Sequence, residues 1–468
     1  MESSDIKAKK SRLFIKPESV GNVTGYLLII LLTAFCYSSA AVAQPTLVIE
    51  NGRVIIGNGT VLEQASVVVA GDSIYSVTQK PIEAPDARRI DASGKTVLPG
   101  LIDAHVHLTI PPEGRDSAAV ARHLKENVPD ILRNFLEHGI TTVRSTGSYW
   151  PSGGELRDRI ADGELEGPRI MTSGPVFTAD GGHPATTICE GKFSRVNITG
   201  QDSYCSDHLA EVVSGPKEAR KNVRRLTEEG VDFIKLVSDS INPPVQIDEE
   251  IVEAIVEESH REGVRVEGHV YEAEQMESYA KMGMDGFAHL VHPATIPEGQ
   301  MDRFANFLAN ERTPVTTTLS SILLFAEGGT NPKDIEAVLK GESSARKVIE
   351  SGAWEATAFA EAGVPVVVGS DWWSGLNVSH PAVQPGAVTI TEMKMLRWGG
   401  LSREAIIKAA TVNAANALEM GDEIGTLEEG KLADLIVVDG NPLEDLSVLE
   451  NMEMVIQGGE IVISNLEY

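Results

Sequence analysis

Gly100-Leu101-Ile102-Asp103-Ala104-His105-Val106-His107 is the stretch on which the reading of this chain turns. It is a short apolar run, entered through Pro99-Gly100 and closed by two histidines. Residues two apart on a strand share a face, so both imidazoles point the same way. Neutral imidazole is a common metal ligand, and side chains at the carboxyl end of a barrel strand reach the active-site mouth. The plainer reading is a pair of surface histidines at a strand end.

Outward from this stretch, the same unit recurs. A short apolar strand follows a Gly-rich entry and leads into an amphipathic segment of helical length. Candidate strands end near His107, Ser145, Ser173, Leu236, His269, His289, Thr318 and Ser370, with helices such as Ile251 to Glu262 and Glu404 to Leu418 alternating with them. Eight such units predict an α/β fold in which a parallel (β/α)8 TIM barrel is wrapped by helices, over residues 99–424. A doubly wound open sheet has the same alternation, but no Gly-x-Gly-x-x-Gly turn follows the first strand, which disfavours a dinucleotide fold.

The flanks read differently. Thr46-Leu-Val-Ile-Glu, Gly52-Arg-Val-Ile-Ile and Ser66-Val-Val-Val-Ala are short alternating segments broken by Gly-Asn-Gly and Gly-Asp. The texture returns in Ala433-Asp-Leu-Ile-Val-Val-Asp and in Met454-Val-Ile-Gln-Gly-Gly-Glu-Ile-Val-Ile. Residues 44–98 and 425–468 are therefore expected to join as one small composite β-sandwich.

Residues 1–43 read as an export signal. Lys7, Lys9, Lys10, Arg12 and Lys16 precede an apolar stretch from Tyr26 to Phe35, and Ala41-Val42-Ala43 offers a cleavage site before Gln44. The rivals are an uncleaved anchor, for which the apolar run is shorter than about 20 residues, and a lipid attached at Cys36, where Phe35 is bulky for that role. Removal of the segment predicts a periplasmic or secreted protein with no stable membrane span. Only Cys189 and Cys205 remain beyond it; a disulfide is expected in an oxidising compartment, with two separate thiols as the alternative.

A formal charge of −28 argues against a partner whose phosphates must be neutralised, so nucleic acid is not an expected partner. With 42% hydrophobic and 23% charged residues the chain is an ordinary globular protein, expected to take a small-molecule substrate; homo-oligomerisation is left open.

Further chemical residues fall at separate strand ends: Lys235 in Asp232-Phe-Ile-Lys-Leu-Val, His269 closing Val264-Arg-Val-Glu-Gly-His, His289 closing Asp285-Gly-Phe-Ala-His, and Asp371 after Val366-Val-Val-Gly-Ser. A lysine in an apolar strand is costly without a partner, and its bland reading is a pair with a barrel acid. Six such positions together make coincidence a poor account, because barrel enzymes draw catalytic groups from several strand ends.

With these residues the chain resembles the amidohydrolase superfamily, in its exported imidazolonepropionase-like and prolidase-like branch. The resemblance spans nearly everything beyond residue 43. It includes Pro99-Gly-Leu-Ile-Asp-Ala-His-Val-His, Ala410-Thr-Val-Asn-Ala-Ala, and the return to the β domain at Gly425-Thr-Leu-Glu-Glu-Gly-Lys-Leu-Ala-Asp-Leu-Ile-Val. The resemblance implies that His105, His107 and Asp371 hold one divalent metal, and His269 and His289 a second. Lys235 would bridge them as a carbamate formed with carbon dioxide. Zinc is the metal that histidine and carboxylate ligands suggest, with manganese and cobalt as alternatives. A shared hydroxide would attack an amide or peptide bond, with Asp371 as general base and then acid.

Two further matches concern the substrate. Gly181-Gly182-His183 resembles a prolidase-like loop whose histidine meets the substrate carboxylate, and Tyr271 resembles a tyrosine sharing that role. Here Pro184 stands where those relatives carry glycine. Trp372 and Trp373 are candidates for a substrate wall. Together these predict hydrolysis of dipeptides or N-acyl amino acids. The rivals are lactone or phosphotriester hydrolysis at the same two metals, a mononuclear deaminase using His269 and Glu272, and a non-catalytic binding protein on an inherited barrel. Among the other histidines, His138 and His260 suit helix ends, His123 and His208 are expected to be solvated, and His292 and His380 are lesser candidates for lining the pocket.

Overall fold

The computed structural model describes residues 44–191, 203–241, 244–292, 295–325, 332–374 and 379–465. The expected export segment, its cleavage site at Ala43 and Cys36 lie outside them. The fold is α/β and TIM-barrel-like. Its strands, in chain order, are Leu101–His107, Ile140–Ser145, Arg169–Thr172 continued by Val176–Thr178, Ile234–Val237, Val266–His269, Gly286–Ala288, Val315–Thr316 and Val366–Val367. Successive strands pair in parallel. Strand eight returns to strand one through Ala104 N to Val368 O at 3.0 Å and Asp371 N to His105 O at 2.8 Å. The open-sheet alternative leaves two unpaired edges, and here the last strand bonds the first.

Strand composition follows from this closure. In Ile140–Ser145 every residue is buried, as expected when one face meets the barrel interior and the other a helix layer. Helices cover the outside; in Pro216–Glu228 the buried residues are Ala219, Val223 and Leu226, spaced to share a face. Strand three breaks at Gly174, whose φ of +64° favours glycine and where a Cβ would lie 2.9 Å from Val231 Cγ1. The break lets Arg169–Thr172 pair with strand two and Val176–Thr178 with strand four.

One expected helix is interrupted. In place of Glu404 to Leu418 there are Arg403–Ala409 and Val412–Ala417. Between them Ala409 O accepts from Val368 N at 3.0 Å and Ala410 O from Ile102 N at 2.8 Å. These carbonyls serve strands eight and one rather than the helix, which seats the barrel's closing seam.

Both chain ends build one eight-stranded sheet, hydrogen-bonded in the order Glu460–Ser464, Met452–Gln457, Leu435–Asp439, Lys95–Pro99, Leu47–Ile55, Val61–Ala70, Ser73–Thr78, with Arg88–Asp91 beside Leu47–Ile55. Its joint is the antiparallel pairing of Lys95–Pro99 with Leu435–Asp439. A single core holds residues of both ends, among them Ile49, Val67, Val97, Leu435, Val437 and Met454. No described helix is long and apolar enough to cross a membrane.

Cys189 and Cys205, sixteen positions apart, form the expected disulfide and are both buried. Closing a loop of that size stabilises by about 3 kcal/mol in the chain-entropy account. Urea melts of the wild type and a Cys189→Ser/Cys205→Ser double variant should differ by roughly that amount; superimposable melts would show that the bond adds nothing.

Candidate metal centre

At the carboxyl end of strand one His105 and His107 face the same side, as their spacing requires. Asp371, just past strand eight, meets both: its Oδ1 is 3.0 Å from His107 Nε2 and 3.4 Å from His105 Nε2. Ligand atoms of the three lie within 4.8 Å of one another. The approach of strand eight depends on Gly369, where a Cβ would sit 2.7 Å from the His105 Cβ and 2.5 Å from Thr316 Cγ2.

A second imidazole pair stands beside the first. His289 Nε2 is 2.8 Å from His269 Nδ1, and the ring of His289 is 5.1 Å from that of His105 between centroids. Burial holds His105, His269 and His289 well below the usual histidine range, assisted in turn by Lys235 at His105, His289 at His269 and His105 at His289. These rings are therefore neutral, which is the ligating form. Two close pairs of imidazoles with a carboxylate in reach fit divalent metal ions.

Lys235 is buried against a carboxylate absent from the expectations. Its Nζ lies 3.2 Å from Glu267 Oε1, and burial lowers its pKa while Glu267 opposes the shift. Glu267 is also paired with the buried Arg144, whose Nε donates to Ala104 O at 2.8 Å. Its Oε1 is 3.5 Å from His105 Nδ1, an electrostatic contact rather than a hydrogen bond. The paired-lysine reading thus describes the chain with Lys235 as the free amine. Lys235 and Glu267 are register partners on strands four and five.

The amidohydrolase family model matches residues 96–462. The chain belongs to the amidohydrolase family. This amidohydrolase is 26% identical over 435 residues to the ochratoxinase of Aspergillus niger, across 87% of this chain and 84% of that one. It is 25% identical over 400 residues to the imidazolonepropionase of Caldanaerobacter subterraneus subsp. tengcongensis, across 82% of this chain and 86% of the relative. Among solved structures, a Xaa-Pro dipeptidase with methionine bound in the active site superposes with a TM-score of 0.69 at 26% identity, over 89% of this chain and 99% of that one.

Around the candidate metal cluster of the amidohydrolase, two of the three expected substrate residues lie beside the second imidazole pair. The His183 ring stacks on His269 with centroids 5.8 Å apart, and Nδ1 lies 2.5 Å from Thr187 Oγ1. Burial, then His107 and Lys235, push its pKa down to about 3. Tyr271 lies edge-on to His269 at 4.6 Å and stacks on His289 at 5.2 Å. Trp372 departs from expectation. It registers with Val106, whose side chain points away from the histidine face, and meets Phe135 of helix Val128–Glu137 edge-on at 5.8 Å. Strand alternation makes it packing, and gives Trp373 the register of His107.

The remaining histidines divide. His138 bonds Asn134 O at its helix end, and His260 lies 2.9 Å from Asp285. His123 is not solvated: it is 1% exposed, with Nε2 2.9 Å from Leu108 O and 3.0 Å from Ser374 Oγ, tying the segments after strands one and eight together. His208 is half-buried, 2.6 Å from Trp150 O. His292 is exposed, and His380 caps a short helical turn beside Glu336.

Three supporting acids were also unforeseen. Asp103 is buried and accepts from Ser370 N at 2.9 Å, His105 N at 3.2 Å and Thr389 Oγ1 at 2.6 Å. Glu392 is buried beneath the turn after strand seven, and burial raises its pKa to about 7. Glu355 is buried against the segment after His289, where Oε1 accepts from Val291 N at 3.0 Å.

Proposed function

We propose that this amidohydrolase cleaves a carbon–nitrogen bond in a dipeptide or N-acyl amino acid, using two divalent metals of which zinc fits the donor set. The observation that carries this reading is the convergence of two imidazole pairs, Asp371 and a buried lysine at one end of the barrel. His105, His107 and Asp371 would hold one ion, and His269 and His289 the other. Lys235 would lie between them as a carbamate. Its burial favours the neutral amine, whose lone pair forms the bond to carbon dioxide as one proton is released. When bound, the two cations polarise the scissile carbonyl and acidify the attacking water. Asp371 accepts the proton from that water and returns it to the leaving nitrogen.

His183 and Tyr271, next to the second imidazole pair, bind the free carboxylate of the substrate. The names of the relatives support this class, since one is a Xaa-Pro dipeptidase. The mononuclear deaminase reading draws less support, because Glu272 is exposed at the start of helix Ala273–Lys281.

The test compares a dipeptide with its C-terminal amide on one metal-quantified sample. Losing a charge-assisted contact should lower kcat/KM by about ten- to a hundredfold. Equal turnover of the two removes the carboxylate-binding role of His183 and Tyr271. Absence of hydrolysis on both, with turnover of a lactone or phosphotriester, removes the amide reading.

A further inference from the structure

Three non-glycine residues at the mouth have left-handed backbone: His289 at φ +74°, Thr318 at φ +54° and Asp371 at φ +55°. They close strands six, seven and eight. Such conformations cost of order 1–3 kcal/mol each and persist where the surroundings over-determine them. For a β-branched residue such as Thr318 the conformation is an outlier.

Thr318 also touches the site, its Oγ1 lying 2.6 Å from His289 Nδ1. That contact leaves His289 Nε2 turned to His269. The residues on either side of Thr318 are gripped by one buried carboxylate. Glu392 Oε1 accepts from Thr317 Oγ1 at 2.5 Å and Leu319 N at 2.8 Å, and Oε2 accepts from Ser320 N at 2.6 Å. The Ser320 hydroxyl is 2.8 Å from both Glu392 Oε2 and the carbonyl oxygen of Ser370, the residue before Asp371.

Glu392 lies on helix Ala387–Leu396, three residues after Thr389, so the two side chains share a helical face. Thr389 meets Asp103, which holds the backbone of His105 and Ser370. One face of one outer helix therefore reaches the ends of strands one, seven and eight.

We infer that Glu392 is a positioning residue that fixes the 317–320 turn, and with it the His289 ring, relative to the Ser370–Asp371 turn, so that the two imidazole pairs keep one separation. This inference rests on the binuclear reading above. The plainer account is that Glu392 only caps helix Leu319–Phe325, in which case its loss lowers stability and leaves the site alone.

Cobalt(II) titration against a competing chelator, followed by the visible absorption of the bound ion, separates the two accounts. Glu392→Gln keeps the volume but places an amide donor among backbone donors. It should weaken the second equivalent by about ten- to a hundredfold, the range for lost outer-shell partners of a metal ligand. Thr318→Val should do the same with Glu392 intact, and Thr318→Ser, which keeps the hydroxyl, should restore binding. Wild-type affinity for both equivalents in Glu392→Gln, with only a lower Tm, overturns the inference. If Glu392→Gln does not fold, wild-type affinity in Thr318→Val overturns it, and the weakening carries it. A wild type that binds a single ion sinks the binuclear reading instead; the inference is then decided by whether Glu392→Gln weakens that ion.

Discussion

Lys235→Ala, and separately His105→Asn, should abolish hydrolysis and metal content together. Each removes a group from the centre of the cluster while leaving the barrel charge-paired, because Glu267 keeps Arg144 as its partner. Folding should therefore survive in Lys235→Ala, and circular dichroism provides the control. Loss of kcat/KM should reach at least about a thousandfold, since the electrostatic stabilisation supplied by placed groups and metals is the largest single contribution to such catalysis. Metal per chain, measured by elemental analysis, should fall to near zero in both variants. Two ions and full activity in either variant would show that the site works without that residue, and the binuclear reading would be wrong.

The second large effect is on stability and comes from Glu355. It is 1% exposed; one oxygen accepts from Val291 N, and the other has no hydrogen-bond partner among the described residues. Burial pushes its pKa up to about 8 from an ordinary 4.5. The folded state thus binds this proton more tightly than the unfolded one. Its stabilisation is complete below the unfolded value and is lost as pH rises through about 8. At about 1.4 kcal/mol per unit, the full loss is on the order of 5 kcal/mol. Denaturant melts at pH 5 and pH 9 should show wild type losing several kcal/mol more than Glu355→Gln, which cannot ionise. Parallel pH profiles for the two proteins would mean that the carboxyl is hydrated or paired.

Much of the site was legible because barrel enzymes concentrate chemistry at strand ends, where His105, His107, Lys235, His269, His289 and Asp371 each close or nearly close an apolar run. Glu267 carries the same signal: it precedes His269 by two, the spacing that pairs His105 with His107, although its place inside an apolar strand also suits a structural role. Glu392 carried no such signal. Its partners at 317–320 are more than seventy positions away, and only the fold brings a helix of the outer layer under that turn. The reading of Trp372 failed on alternation, since the chain continues as strand beyond Asp371 and sends adjacent tryptophans to opposite faces. The break at Ala410 could not be read either, because helix propensity says nothing of carbonyls claimed by distant strands.

The sheet joining the two chain ends has a consequence for synthesis. Lys95–Pro99 lies between Leu47–Ile55 and Leu435–Asp439, so these early strands wait for one that a ribosome makes only after the whole barrel before their shared core can form. Such a pairing is among the most sequence-distant a chain of this length can make, and distant pairings form late. An unfinished polypeptide therefore keeps an open strand edge, a ready target for proteases or chaperones. Pairing of Lys95–Pro99 with Leu435–Asp439 is what covers that edge.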